Sequence, residues 1–205
     1  MRTPVLLSIV GCAAATPMFA QAHVEVAPTV GLYIPSGNVV DQPGAGCGGC
    51  QVTYSQQAGF LIGARLTIWP SGGHLGLETS LGMAFSGVHG VAVGYASGDT
   101  SGTVGIFTER LVWAFTKPGA STVIYGAGGV AYLLHTSDAY QGLSGTSDLG
   151  LALGLGGLFP LGGGVAMKTE LEDLIYSTQF EAGGQSTESK HQNDFVVSLG
   201  LSIHL

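Results

Sequence analysis

Three groups of residues carry side chains able to do chemistry. Cys47-Gly48-Gly49-Cys50 sets two thiols close together in a polar, glycine-rich stretch. In an oxidising compartment such a pair closes a disulfide that pinches its loop. A thioredoxin-like redox role needs a strand-to-helix context that is missing here, and zinc needs two further ligands. His135-Thr136-Ser137 places an imidazole and a hydroxyl two apart, on one face of a strand. A serine nucleophile requires that base within hydrogen-bond reach and an acid to orient it. Asp138 and Asp148 are the acids at hand, and the competing reading is a solvated loop histidine. The third group is Arg65, Glu78, Arg110, Lys168, Glu170 and Glu172, with Asp194, which all occupy the polar phase of alternating segments. No cofactor and no metal is expected from these residues.

The elements that must position them alternate with a period of two, which is a strand with one apolar face. From Asp194 to the end, Phe195, Val197, Leu199, Leu201, Ile203 and Leu205 share one face. The opening segment Val24 to Pro35 sets Val24, Val26, Val30, Leu32 and Ile34 against Glu25, Ala27, Thr29, Gly31 and Tyr33. About Tyr54 to Trp69 sends Phe60, Ile62, Ala64, Leu66 and Ile68 to the apolar side and Gly63, Arg65 and Thr67 to the other. About His74 to Phe85, about Ser147 to Phe159 and about Val165 to Tyr176 alternate as cleanly. About Gly102 to Phe115 carries Glu109 on its apolar face, which a bulge or a position above the membrane would resolve. About Thr122 to His135 is too rich in Gly and Ala for its register to be read. These are eight strands in all.

Their connections alternate in length. Pro70-Ser71-Gly72-Gly73, Lys117-Pro118-Gly119-Ala120-Ser121 and Pro160-Leu161-Gly162-Gly163 are tight turns by residue type. Between them lie longer polar segments at about 36–53, 86–101, 136–146 and 177–192. Short and long in alternation is the pattern of an up-and-down barrel. Trp69, Trp113, Phe115 and Phe159 sit beside the short turns, where an aromatic girdle lies.

The composition fits a surface not covered by water. Only 9% of the 205 residues are charged, 35 are glycine, and the mean hydropathy is +0.40. A membrane helix needs about 18 consecutive apolar residues. The longest run after the amino terminus, Leu149 to Leu161, is interrupted by Gly150, Gly154, Gly156, Gly157 and Pro160. Arg2, the apolar Val5 to Ala15 and the small-x-small Ala20-Gln21-Ala22 predict a signal peptide over 1–22 and a mature domain over 23–205. Loss of Arg2 leaves five basic against thirteen acidic residues, a formal charge of −8, so nucleic acid is not an expected partner.

A soluble β-sandwich or lipocalin-like barrel also alternates. Polarity separates the two readings: with charges inward and leucines outward, opposite charges pair inside a narrow barrel. The reading is an all-β, eight-stranded antiparallel up-and-down transmembrane β-barrel. The stretches Val26-Ala27-Pro28-Thr29-Val30-Gly31-Leu32-Tyr33, Ala64-Arg65-Leu66-Thr67-Ile68-Trp69-Pro70, Tyr125-Gly126-Ala127-Gly128-Gly129-Val130 and Asn193 to Leu201 resemble the small bacterial outer-membrane β-barrel family, the group of outer-membrane proteins A, X and W. The terminal Leu205 departs from the aromatic ending usual in that family. The resemblance implies a Gram-negative-type outer membrane, contact with its lipid, insertion by the barrel-insertion machinery through the last strand, and a monomer. It implies no activity. The His135-Thr136-Ser137 arrangement is similar to that of outer-membrane lipid A deacylases, but outside any wider motif.

Three function classes follow. The first is a non-enzymatic barrel with a structural, surface-interaction or envelope-integrity role. The second is a narrow channel or uptake route for small or hydrophobic molecules, and the third a lipid-modifying hydrolase. Arg65 and Arg110 are expected to bridge Glu78 and Glu170 inside the barrel.

Overall fold

The computed structural model describes residues 22–43, 51–70, 73–92, 97–116, 121–182 and 185–205. Its strands are β1 (His23–Ile34), β2 (Asn38–Pro43), β3 (Gln51–Gln56), β4 (Gly59–Trp69), β5 (Leu75–Ala92), β6 (Ser97–Ala114), β7 (Val123–Thr136), β8 (Ser147–Gly162), β9 (Val165–Thr178), β10 (Glu181–Ala182), β11 (Gln185–Ser186) and β12 (Lys190–His204). β1, β4, β5, β6, β7, β8, β9 and β12 pair antiparallel in that order, and β12 pairs back onto β1. Eight strands closed on themselves leave no free edge and an interior just wide enough for side chains. Most of the expected signal segment, together with Cys47 and Cys50, lies outside the described residues.

Alternation becomes inside and outside as the strands predict, with apolar side chains outward. Leu77, Leu81, Leu151, Leu155, Leu199 and Leu201 are exposed on the outer wall, while Arg65, Glu78, Arg110, Lys168, Glu170 and Glu172 are buried. The turn between β8 and β9 uses Gly162, Gly163 and Gly164, all at positive φ, a conformation that glycine alone adopts without steric cost. β7, whose register the sequence leaves open, turns Tyr125, Ala131, Leu133 and His135 inward and Val130, Tyr132 and Leu134 outward.

Three expectations are corrected. The described residues of the segment about 86–101 are strand: β5 and β6 stay paired as far as Val91 and Ser97, and β3 and β2 extend that sheet above the ring. The polar, glycine-rich composition hides these strands, because among their described residues only Val39, Val40 and Val88 join a buried apolar cluster. The segment 54–69 is not one strand. Gln56 pairs with Val88 and Phe60 with Phe85, so one extra residue is inserted between β3 and β4. That bulge reverses the facing of every residue before it and turns Gln56 inward, where it is buried. Glu109 is not relieved by a bulge. The ladder through it is unbroken on both sides, opposite Thr79 and Val130, and it sits between the exposed Phe107 and Leu111 on the outer wall.

Candidate functional site

Six charged residues gather at one level of the lumen. Glu78 on β5, Arg65 on β4 and Arg110 on β6 face Lys168, Glu170 and Glu172 on β9, which lies across the ring. Arg65 Nη1 is 3.2 Å from Glu78 and 3.0 Å from Glu170, and its Nη2 is 3.0 Å from Glu172. Arg110 Nη1 is 2.6 Å from Glu170 and 2.8 Å from Glu172, and its Nη2 pairs with Glu78. Lys168 pairs with Glu78, which also accepts from Thr67 at 2.8 Å. Tyr125 donates to Glu170 at 2.6 Å. Three cations thus meet three carboxylates, and charges buried this deeply persist only when paired and hydrogen-bonded. Glycines on β8 make the room: a Cβ at Gly154 would stand 2.8 Å from Arg110 Nη1, and one at Gly156 would meet the Tyr125 ring.

The lumen is packed above and below this layer. Val112, Tyr125, Leu158 and Ala166 lie below it, toward the short turns. Leu61, Ala84, Ile106, Leu133, Ala152, Leu174 and Val196 lie above. Beside the network a cavity of 20 Å³ lined by Thr29, Arg65, Ser80 and Glu172 has room for about one water. Higher still, Asp194 accepts from Tyr33, from Tyr176 at 2.6 Å and from the Ser36 backbone amide at 3.2 Å. Val39, Val40, Val88, Tyr140 and Phe180 cap the mouth. Tyr140 belongs to the 3-10 turn Asp138–Tyr140 and donates to Gln56. Burial, and behind it the Asp194 and Asp148 carboxylates, push its phenol well above the ordinary value, so it serves as a neutral donor. Gln56 went unnoticed in the sequence because only the bulge turns it inward.

His135 is not a solvated loop histidine. It is 2% exposed, packed among the rings of Tyr140, Tyr176 and Phe180, with Asp148 3.4 Å from its Nδ1. Phe180, whose ring meets His135 edge-on, directly precedes Glu181, which pairs with Ser144. Ser137 does not join it. Its Oγ donates to Thr103 at 2.8 Å, and neither His135 ring nitrogen has a hydrogen-bond partner. The base and hydroxyl of a serine nucleophile are therefore not assembled.

The outer wall is apolar over its full girth, a pattern that soluble monomers do not show at this scale. No family model matches the chain, and no curated protein does. Among solved structures, the outer membrane protein OprG from Pseudomonas aeruginosa superposes with a TM-score of 0.69 at 13% identity, over 90% of this chain and 96% of that one. The chain has the fold of the small outer-membrane β-barrels. The outer membrane protein AlkL matches the barrel with a TM-score of 0.66 at 14% identity, over 90% of each chain. Ail, the attachment invasion locus protein of Yersinia pestis, matches it with a TM-score of 0.55 at 10% identity, over 90% of this chain and 99% of that one.

Two acidic groups interrupt the barrel's apolar belt. Glu109 accepts from Thr79 Oγ1 at 2.9 Å, and Asp173 accepts from Asn193 Nδ2 at 3.2 Å. Each carboxylate thus accepts from a neutral donor on the neighbouring strand. A shallow concavity of 740 Å³ on the same wall is lined by Leu32, Phe60, Leu155, Phe159, Leu171 and Leu199, a surface suited to hydrocarbon.

Proposed function

We propose that this barrel is a closed, non-conducting outer-membrane protein whose role is structural and surface-directed: envelope integrity or contact with material outside the cell. The observation that carries this reading is the six-residue ion-pair layer across the lumen, flanked on both sides by packed apolar side chains. An ion crossing this layer would have to part buried paired charges. The sheet formed by β2, β3, β5 and β6 above the ring supports the outward-facing role. With the turn Asp138–Tyr140 it forms a groove of 380 Å³ lined by Asp99, Asp138, Tyr54 and Val88. The separation of Ser137 from His135 supports a non-enzymatic reading over lipid hydrolysis. Insertion through β12 by the barrel-insertion machinery, and a monomer held in lipid by its apolar belt, complete the proposal.

Planar-bilayer recording of the refolded mature chain tests it. Stable insertion without discrete current steps is the expected result, with a general porin in the same bilayer as the positive control. Reproducible ohmic steps that scale with salt would overturn the closed-lumen reading and favour a narrow channel.

A further inference from the structure

Where the first and last strands meet at the short-turn end of the barrel, His23 and Glu25 stand two apart on β1, and His204 on β12 pairs directly with Glu25. Their side chains converge. His23 Nε2 is in contact with His204 Nδ1, and Glu25 Oε1 lies 3.8 Å from the former and 3.6 Å from the latter. All three ligand atoms fall within 4.8 Å of one another, and no other trio of His, Cys, Asp or Glu among the described residues does so. Metal bonds of about 2.0–2.1 Å in tetrahedral geometry set neighbouring donor atoms about 3.4 Å apart, close to the two carboxylate spacings; the two imidazole nitrogens, which meet each other directly, would part to that separation around an ion.

The carboxylate is a second, independent sign. The Glu25 side chain is only 5% exposed, yet among the described residues its charged neighbours within ion-pair reach are those two histidines alone. Every other deeply buried glutamate of the lumen has an arginine or lysine against it. Buried charges are paired or coordinate metals. Ser202 Oγ donates to Glu25 Oε2 at 3.2 Å, which leaves Oε1 free to ligate and fixes its direction, as outer partners of metal ligands do. The imidazoles keep access from outside, His23 being about half exposed and His204 less so. The backbone around them is locked: His204 N donates to Gly164 O and Leu205 N to Val24 O, both at 2.9 Å.

We propose that His23, Glu25 and His204 form a binding site for a borderline divalent transition metal of the zinc class, which staples the closing seam of the barrel. Two imidazoles and one carboxylate are the donor set such ions prefer over magnesium or calcium, and a three-ligand site leaves a fourth position to water. Because the donors sit on the two strands whose pairing closes the ring, the ion binds only the closed barrel and stabilises it by mass action.

The test uses the tag-free mature chain, refolded in detergent, stripped with a chelator and dialysed against zinc. The expected result is one zinc ion per barrel, a gel-shift temperature that rises with zinc, and an intense visible absorption when cobalt replaces zinc. His204→Ala should abolish all three while the boiled-versus-unboiled shift still reports a folded barrel. Ser202→Ala, which leaves every ligand in place, should lower zinc affinity by about tenfold and keeps the proposal testable should the histidine variant misfold. No zinc retained by the unsubstituted chain, or equal zinc retained by the His23→Ala/His204→Ala double variant, would overturn it.

Discussion

Replacing Arg110 by methionine removes one cation from a buried layer of three cations and three carboxylates and leaves a net negative charge there. Arg110 is 1% exposed and stands 2.6 and 2.8 Å from Glu170 and Glu172 while also meeting Glu78. Methionine fills the volume, so the cost is electrostatic. Removing one partner of a buried ion pair typically costs about 3–5 kcal/mol, between two and four powers of ten in the folded-to-unfolded ratio at about 1.4 kcal/mol for each. Glu172→Gln in the same chain restores neutrality and should return about 2 kcal/mol, within the range for residues that share a network. Urea unfolding in detergent, followed by tryptophan fluorescence and checked by the heat-dependent gel shift, measures both variants. If Arg110→Met loses less than about 1 kcal/mol and the double variant recovers nothing, the layer is not a stabilising plug.

Two further outcomes follow from the same structure. Tyr176→Phe deletes a 2.6 Å donor to the buried Asp194 and should cost about 1.5–3 kcal/mol, the usual worth of a hydrogen bond to a charged group; an unchanged urea midpoint would show that Tyr33 and Ser36 satisfy Asp194 alone. Glu109→Leu removes a carboxylate from the lipid-facing belt and should stabilise the barrel in vesicles by about 1 kcal/mol, since acidic groups facing lipid cost less than basic ones but still cost. A fall in the vesicle midpoint would mean that the Thr79 bond outweighs the desolvation of Glu109.

Most strands of the ring, their facing and the polarity of the barrel were legible in the sequence, because a period of two is a local property of the chain; the register of β7 and the strands β2 and β3 were not. Leu149, Leu151, Leu153 and Leu155 lie opposite Gly150, Ala152, Gly154 and Gly156 whatever the rest of the molecule does. The same parity placed Arg65, Glu78, Arg110, Lys168, Glu170 and Glu172 on one face. Parity cannot say which of them meet. Arg110 reaches Glu172 across 62 residues of sequence and Arg65 reaches it across 107, and those distances depend on the accumulated register of every strand between them. A single inserted residue between β3 and β4 turned Gln56 inward against the local alternation. His135 was buried by a turn and a loop whose polar composition resembles any solvated segment. The trio of His23, Glu25 and His204 spans 181 residues between its histidines, and no spacing rule joins the two ends of a chain. Local sequence determined which side each residue faces; only closure of the ring decided which residues face each other.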